Sequence, residues 1–147
     1  MKHGSDLDDL LGYQLQMANL IAINDAREAL AEHGITPAKL TALLLIQANP
    51  GCDQTALGRA LQINRSSAMK IVNFLEEKGL IERRPGRNLR TNALNVLPDG
   101  EMRVKEMLAT LRDVDATLSE RLTPNERQTL FKLLGKLGRA KLRRAAA

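Results

Sequence analysis

Between Asp53 and Gly79 the chain has room for two short amphipathic helices and leaves three residues, Gln62-Ile63-Asn64, to join them. Asp53 is placed to cap the first, whose inward side is Ala56, Leu57, Ala60 and Leu61, with Gly58 permitting close approach. Asn64 caps the second and Gly79 ends it. At helical period Ala68, Ile71, Val72 and Leu75 form the apolar stripe of that second helix, while Arg65, Ser66, Met69, Lys70 and Asn73 fall on the opposite side. A helix face meant for water alone usually mixes Glu with Lys. From Arg65 to Asn73 there are hydroxyls, an amide and cations but no acid, a set that suits base edges and phosphates. Two short helices, one tight turn and a cationic outer face on the second read as a helix-turn-helix.

The flanking segments fit around this pair. After Gly79, Leu80-Ile81-Glu82-Arg83-Arg84 and Asn92-Ala93-Leu94-Asn95-Val96-Leu97 enclose a turn-rich segment from Pro85 to Thr91, which predicts a β-hairpin with Arg87 and Arg90 at its tip. Two short strands do not persist alone, so the hairpin must pack on the helices as a wing. Arg83 and Arg84 point to opposite sides of a strand, so one of them is expected to face DNA and the other to be a surface charge.

Upstream, Ser5 or Asp6 can cap a first helix that meets no Pro or Gly between Tyr13 and Gly34. Its apolar residues, from Leu7 through Leu15 and Leu20 to Ile23, cover too much of the circumference for one interface, and the second neighbour can be another subunit. Ile35-Thr36-Pro37 opens the next helix, with Thr36 as cap and Pro37 at the first helical position, and Asn49-Pro50-Gly51 closes it. Downstream, Pro98-Asp99-Gly100 opens a long helix on which Val104, Leu111 and Leu118 recur every seven residues, a seam for packing against other long helices. Thr123-Pro124-Asn125-Glu126 is a capping box for the last helix, which carries Leu130, Leu133, Leu134 and Leu137 and then a cationic end. A frayed, solvated helix end accounts for that tail as well as nucleic-acid binding does.

Charge distribution agrees with this reading. The chain of 147 residues has a net charge of +5, but residues 1–36 carry two cations against six carboxylates, while residues 64–92 carry seven cations against three carboxylates. The positive field is local to the central stretch. With 2% aromatic residues and no Trp, a stacking platform for single strands is disfavoured and duplex DNA remains. No apolar run approaches a membrane span, and one cysteine excludes an internal disulfide framework, which together predict a cytoplasmic protein with no membrane partner. There is no catalytic triad spacing, no Gly-rich phosphate loop and no metal-ligand run, so neither an enzyme nor a metal or cofactor site is expected.

The order of elements, with Ile35-Thr36-Pro37 to Pro50-Gly51, Asn64-Arg65-Ser66-Ser67, Leu75-Glu76-Glu77-Lys78-Gly79-Leu80-Ile81-Glu82-Arg83-Arg84-Pro85 and Arg90, resembles the MarR family of bacterial transcriptional regulators over nearly the whole chain. The resemblance implies a mainly α fold with a small β-hairpin wing. It divides the chain into a winged helix-turn-helix lobe over 35–98 and a helical dimerisation region over 1–34 and 99–147, within one compact subunit. It further implies a homodimer whose recognition helices read double-stranded DNA, with Arg65, Ser66, Ser67, Lys70 and Asn73 at the family's contact positions and Arg90 at the wing-tip arginine. Arg83, Arg84 and Arg87 join these as candidate phosphate contacts. A small-molecule effector, often aromatic or acidic in the family, would bind in a pocket lined by the first helix, the second helix and the start of the long helix after the wing. One departure stands out: the family commonly carries Asp immediately before the wing arginine, and here that position is Leu89.

Several blander or rival readings remain open from the residues alone. The cationic face can be a solvated surface, or can dock an acidic protein partner in a winged-helix adaptor. Cys52 can serve a thiol-based regulator, although Asp53 beside it works against an activated thiolate. Met69 can touch a thymine methyl or pack under the wing. His33, near a helix end, suits the helix dipole better than a ligand.

Overall fold

A computed structural model of the protein describes residues 5–86 and 92–145. It is mainly helical, with α1 at Ser5–Asp8, α2 at Leu11–Leu30, α3 at Pro37–Ala48, α4 at Gln54–Leu61 and α5 at Arg65–Glu77. A hairpin of β1 (Ile81–Pro85) and β2 (Asn92–Val96) follows, then α6 (Pro98–Leu118) and α7 (Pro124–Ala145). The fold is the expected winged helix-turn-helix with long flanking helices. Two compact units are distinguished, Met1–Arg112 and Asp113–Ala147.

Local chemistry explains most element ends. Thr36 Oγ1 accepts from Lys39 N–H at 3.4 Å with Pro37 at the first helical position of α3. Asp53 Oδ1 accepts from Ala56 N–H and Asn64 Oδ1 from Ser67 N–H, each at 2.8 Å, at the heads of α4 and α5. Between them Gln62 takes the left-handed conformation (φ 55°), which lets three residues reverse the chain direction. At the head of α7 the capping box forms: Thr123 N–H and Oγ1–H both donate to Glu126 at 2.8 Å, and these bonds hold the Glu126 carboxyl below its ordinary pKa.

The first helix differs from expectation. In place of one run from Ser5 or Asp6, the chain breaks after α1, and Leu10 takes an extended conformation (φ −90°, ψ 113°) before α2 begins. The Gln14 side chain donates to the Asp8 carbonyl at 2.9 Å, so a side chain bonds a carbonyl that a continuous helix would have bonded internally. The other end follows expectation, with a 3-10 turn at Ala31–His33 closed by left-handed Gly34 (φ 64°).

The core lies in the first unit. Leu30, Leu40, Leu43, Ile46, Leu57, Val72, Leu75, Ile81, Leu94, Val104 and Met107 are essentially buried, so α2 through α6 and both strands contribute to one interior. Gly58 sits where an added Cβ would lie 3.3 Å from Ala68 Cβ, which is the close approach of α4 to α5. The strands pair antiparallel, with Ile81 opposite Val96, Arg83 opposite Leu94 and Pro85 opposite Asn92. A backbone bridge from Cys52 to Leu94 adds the α3–α4 loop to the hairpin: Gly51 N–H donates to Leu94 O at 2.8 Å and Leu94 N–H to Cys52 O at 2.9 Å. The hairpin is therefore anchored at its base to the helix-turn-helix, as a two-stranded sheet requires.

Candidate nucleic-acid interface

Helix α5 turns Ala68, Val72 and Leu75 fully inward, and this fixes what its other face shows. Arg65, Ser66, Met69, Lys70 and Asn73 are exposed and Ser67 is half-buried, with its backbone N–H donating to Asn64 Oδ1. Met69 is 48% exposed and stands among these polar groups. The face spans two helical turns without an acid, and it begins at the positive end of the helix dipole.

The strand arginines separate as their alternation requires. Arg84 is 65% exposed on the outer side of the hairpin and pairs with Glu82, two residues back on the same side. Arg83 shares the inner side with Ile81 and Pro85 and reaches α5, where its guanidinium donates to Glu76 Oε2 and to Asn73 Oδ1. Strand alternation alone does not reveal this link between wing and α5. The available signal was the position of Arg83 two residues after buried Ile81, which puts both on one side of the strand. Arg87 and Arg90, and Leu89 with them, lie outside the described residues.

Away from this face, a narrow cleft in the first unit opens between the end of α5 and the start of α6. His33, Phe74, Lys78, Leu80, Arg103 and Met107 line it around about 20 Å³ of space, room for a single water. Lys39 Nζ stands 3.3 Å from the Phe74 ring centroid and His33 Nε2 is 2.9 Å from Thr110 Oγ1, so cations and an aromatic face gather at this point. Charged helix positions such as Lys78 and Arg103 look like ordinary surface residues until the helices are packed.

Cys52 lines a second, open hollow of about 150 Å³ with Leu45, Asn49, Ala56, Leu57 and Ala60. Burial, reinforced by the Asp53 carboxylate, pushes its thiol pKa up, which leaves less thiolate at neutral pH. Among the described residues no three His, Cys, Asp or Glu side chains are grouped to hold a metal ion, and no helix is long and apolar enough to cross a membrane.

Comparison with known proteins agrees with this geometry. The family model described as MarR family matches residues 33–88, which take in the helix-turn-helix and the first strand. A protein of Thauera aromatica named as a transcriptional regulatory protein for the hcr operon is 37% identical over 139 residues, 93% of this chain and 83% of its own length. The transcriptional repressor CouR, solved bound to a 23-mer DNA duplex, superposes with a TM-score of 0.87 at 28% identity, covering 94% of this chain and 99% of that one. The repressor Rv2887 of Mycobacterium tuberculosis, solved in complex with DNA, gives a TM-score of 0.78 at 25% identity over 88% of this chain and 98% of its own.

Proposed function

The chain belongs to the MarR family of transcriptional regulators, and from that premise we propose that it is a sequence-specific repressor that binds a palindromic operator as a homodimer. The observation that carries the reading is the outer face of α5, where Arg65, Ser66, Lys70 and Asn73 are exposed together with no acid between them. In this reading residues 35–98 bind DNA and the helices of 1–34 and 99–147 hold two copies together. The two α5 helices then enter successive major grooves about 34 Å apart. Ser66, Lys70 and Asn73 read base edges, and Arg65, Arg84 and the wing-tip cations Arg87 and Arg90 hold phosphates.

Exposed apolar residues support the pairing of copies. On α2, Leu11, Leu15, Leu20 and Ile21 are 38–61% exposed, and on α7 Leu130, Leu134 and Leu137 form an exposed stripe at helical spacing. In this reading the effector is a small aromatic or acidic molecule, and the cleft of His33, Phe74, Lys78 and Arg103 has the chemistry to take one that is both. A ring and a carboxylate entering a space the size of one water must part the end of α5 from α6. Tighter binding to that parted state than to the DNA-competent one releases the operator.

Selection of bound sites from random duplexes, followed by fluorescence anisotropy at several salt concentrations, tests the reading. The expected outcome is a palindromic site bound at least about a thousandfold more tightly than random DNA, with affinity falling steeply as salt rises. Equal affinity for selected and random duplexes would sink it. Binding to an acidic protein with no selected site would favour the adaptor.

A further inference from the structure

Among the described residues Arg83 is the strand cation tied to α5, and its two partners there differ in consequence. Glu76 neutralises it; Asn73 is oriented by it. A guanidinium carries donors and no acceptor, so the Asn73 amide can meet it only through Oδ1, and the amide NH2 is thereby directed away from the wing. Arg83 is held firmly enough to impose this: its side chain is 23% exposed, it stands opposite buried Leu94 in the strand register, and Glu76 takes its other nitrogen. Asn73 itself remains exposed one turn beyond Lys70 on the outer face.

A free asparagine reads adenine with both ends of its amide, accepting from the adenine amino group and donating to N7. Here the accepting end is engaged. A second donor brought to the same oxygen would sit beside a guanidinium whose N–H groups and charge repel it. We propose that Arg83 is a positioning residue that makes Asn73 a donor-only reader: it loses the paired contact to adenine, whose N7 accepts but whose amino group needs an acceptor, and it favours guanine, with acceptors at both N7 and O6, or thymine O4 in the place of adenine. The proposal rests on α5 being the DNA-reading helix. It assigns Arg83 to specificity and not to phosphate binding, and makes the strand that follows α5 part of the code that α5 reads.

The test is site selection with the full-length protein, its Asn73→Ala variant and its Arg83→Met variant, each checked for cooperative thermal unfolding. Asn73→Ala identifies the base pair under Asn73 as the one whose preference is lost. At that pair the wild-type protein should prefer guanine or thymine over adenine by about tenfold, and Arg83→Met should reverse or abolish that order while preferences at other pairs persist. A uniform loss of affinity in Arg83→Met with the order kept would overturn the proposal and leave the repressor reading intact. Should Arg83→Met fail to fold, the wild-type preference decides alone: adenine favoured at the Asn73 pair overturns the proposal. Selection of no site by the wild-type protein overturns both.

Discussion

Asp53 and Asn64 do the same work at the heads of consecutive helices, each taking a backbone N–H that the first turn leaves without a partner. Such roles are legible in sequence because the cap and its N–H are three residues apart, and no distant segment is needed to bring them together. Arg83 is the opposite case. Its charge and strand are readable, but which side of the strand faces α5 depends on how the hairpin seats, so its bonds to Asn73 and Glu76 were not. Cys52 lies between these cases. The raising effect of Asp53 follows from adjacency, while the larger effect of burial needs the packed loop. Because a raised thiol pKa leaves less thiolate, iodoacetamide should modify native Cys52 more slowly at neutral pH than it modifies the denatured chain, and the rate should climb as pH passes 9.0, the ordinary value. Mass spectrometry across a pH series reads this directly; equal rates at neutral pH would contradict the raised pKa, and a native rate faster than the denatured one would mark an activated thiol and revive the redox reading. Cys52→Ser should leave operator binding and its response to oxidants unchanged.

At the scale of elements, the helices and strands fell close to where periodicity and caps put them, and the differences have physical causes. The break before α2 depends on a side-chain bond from Gln14 to the Asp8 carbonyl, a choice between two local arrangements that apolar spacing cannot distinguish. The start of α6 shows another limit of local reading. Pro98-Asp99-Gly100 signals a helix start, yet Gly100 is required for a tertiary reason: a Cβ there would lie 2.2 Å from the Leu80 carbonyl oxygen and 2.8 Å from Val96 Cγ1. Backbone at that distance cannot yield without moving the join between α5 and the wing. Gly100→Ala should therefore lower stability by about 1–3 kcal/mol, overriding alanine's better helix propensity, and the urea midpoint measures it. An unchanged or raised midpoint would mean that this contact relaxes freely.

For the whole molecule, the apolar surface of α2 and α7 is the main unassigned quantity. The heptad seam of α6 is spent in two ways: Val104 and Met107 are buried in the first unit's core, whereas Leu118 is 43% exposed. Sequence spacing could not divide the seam, because one apolar face serves a core or a second subunit equally well. If α7 pairs copies, Leu134→Glu should convert a species of twice the 16.2 kDa chain mass into monomers in sedimentation equilibrium. It should also weaken operator binding by about a hundredfold or more through loss of the second recognition helix. Dimers that persist unchanged would place the subunit contact elsewhere. What the sequence by itself determined is the set of elements and the chemistry of the recognition face, because caps, helical period and charge act over a few residues. Only the tertiary structure decided that Arg83 turns inward onto Asn73, that Gly100 admits no side chain and that cations gather around Phe74. Each depends on segments far apart in the chain meeting at close range, and that depends on how the apolar interior packs.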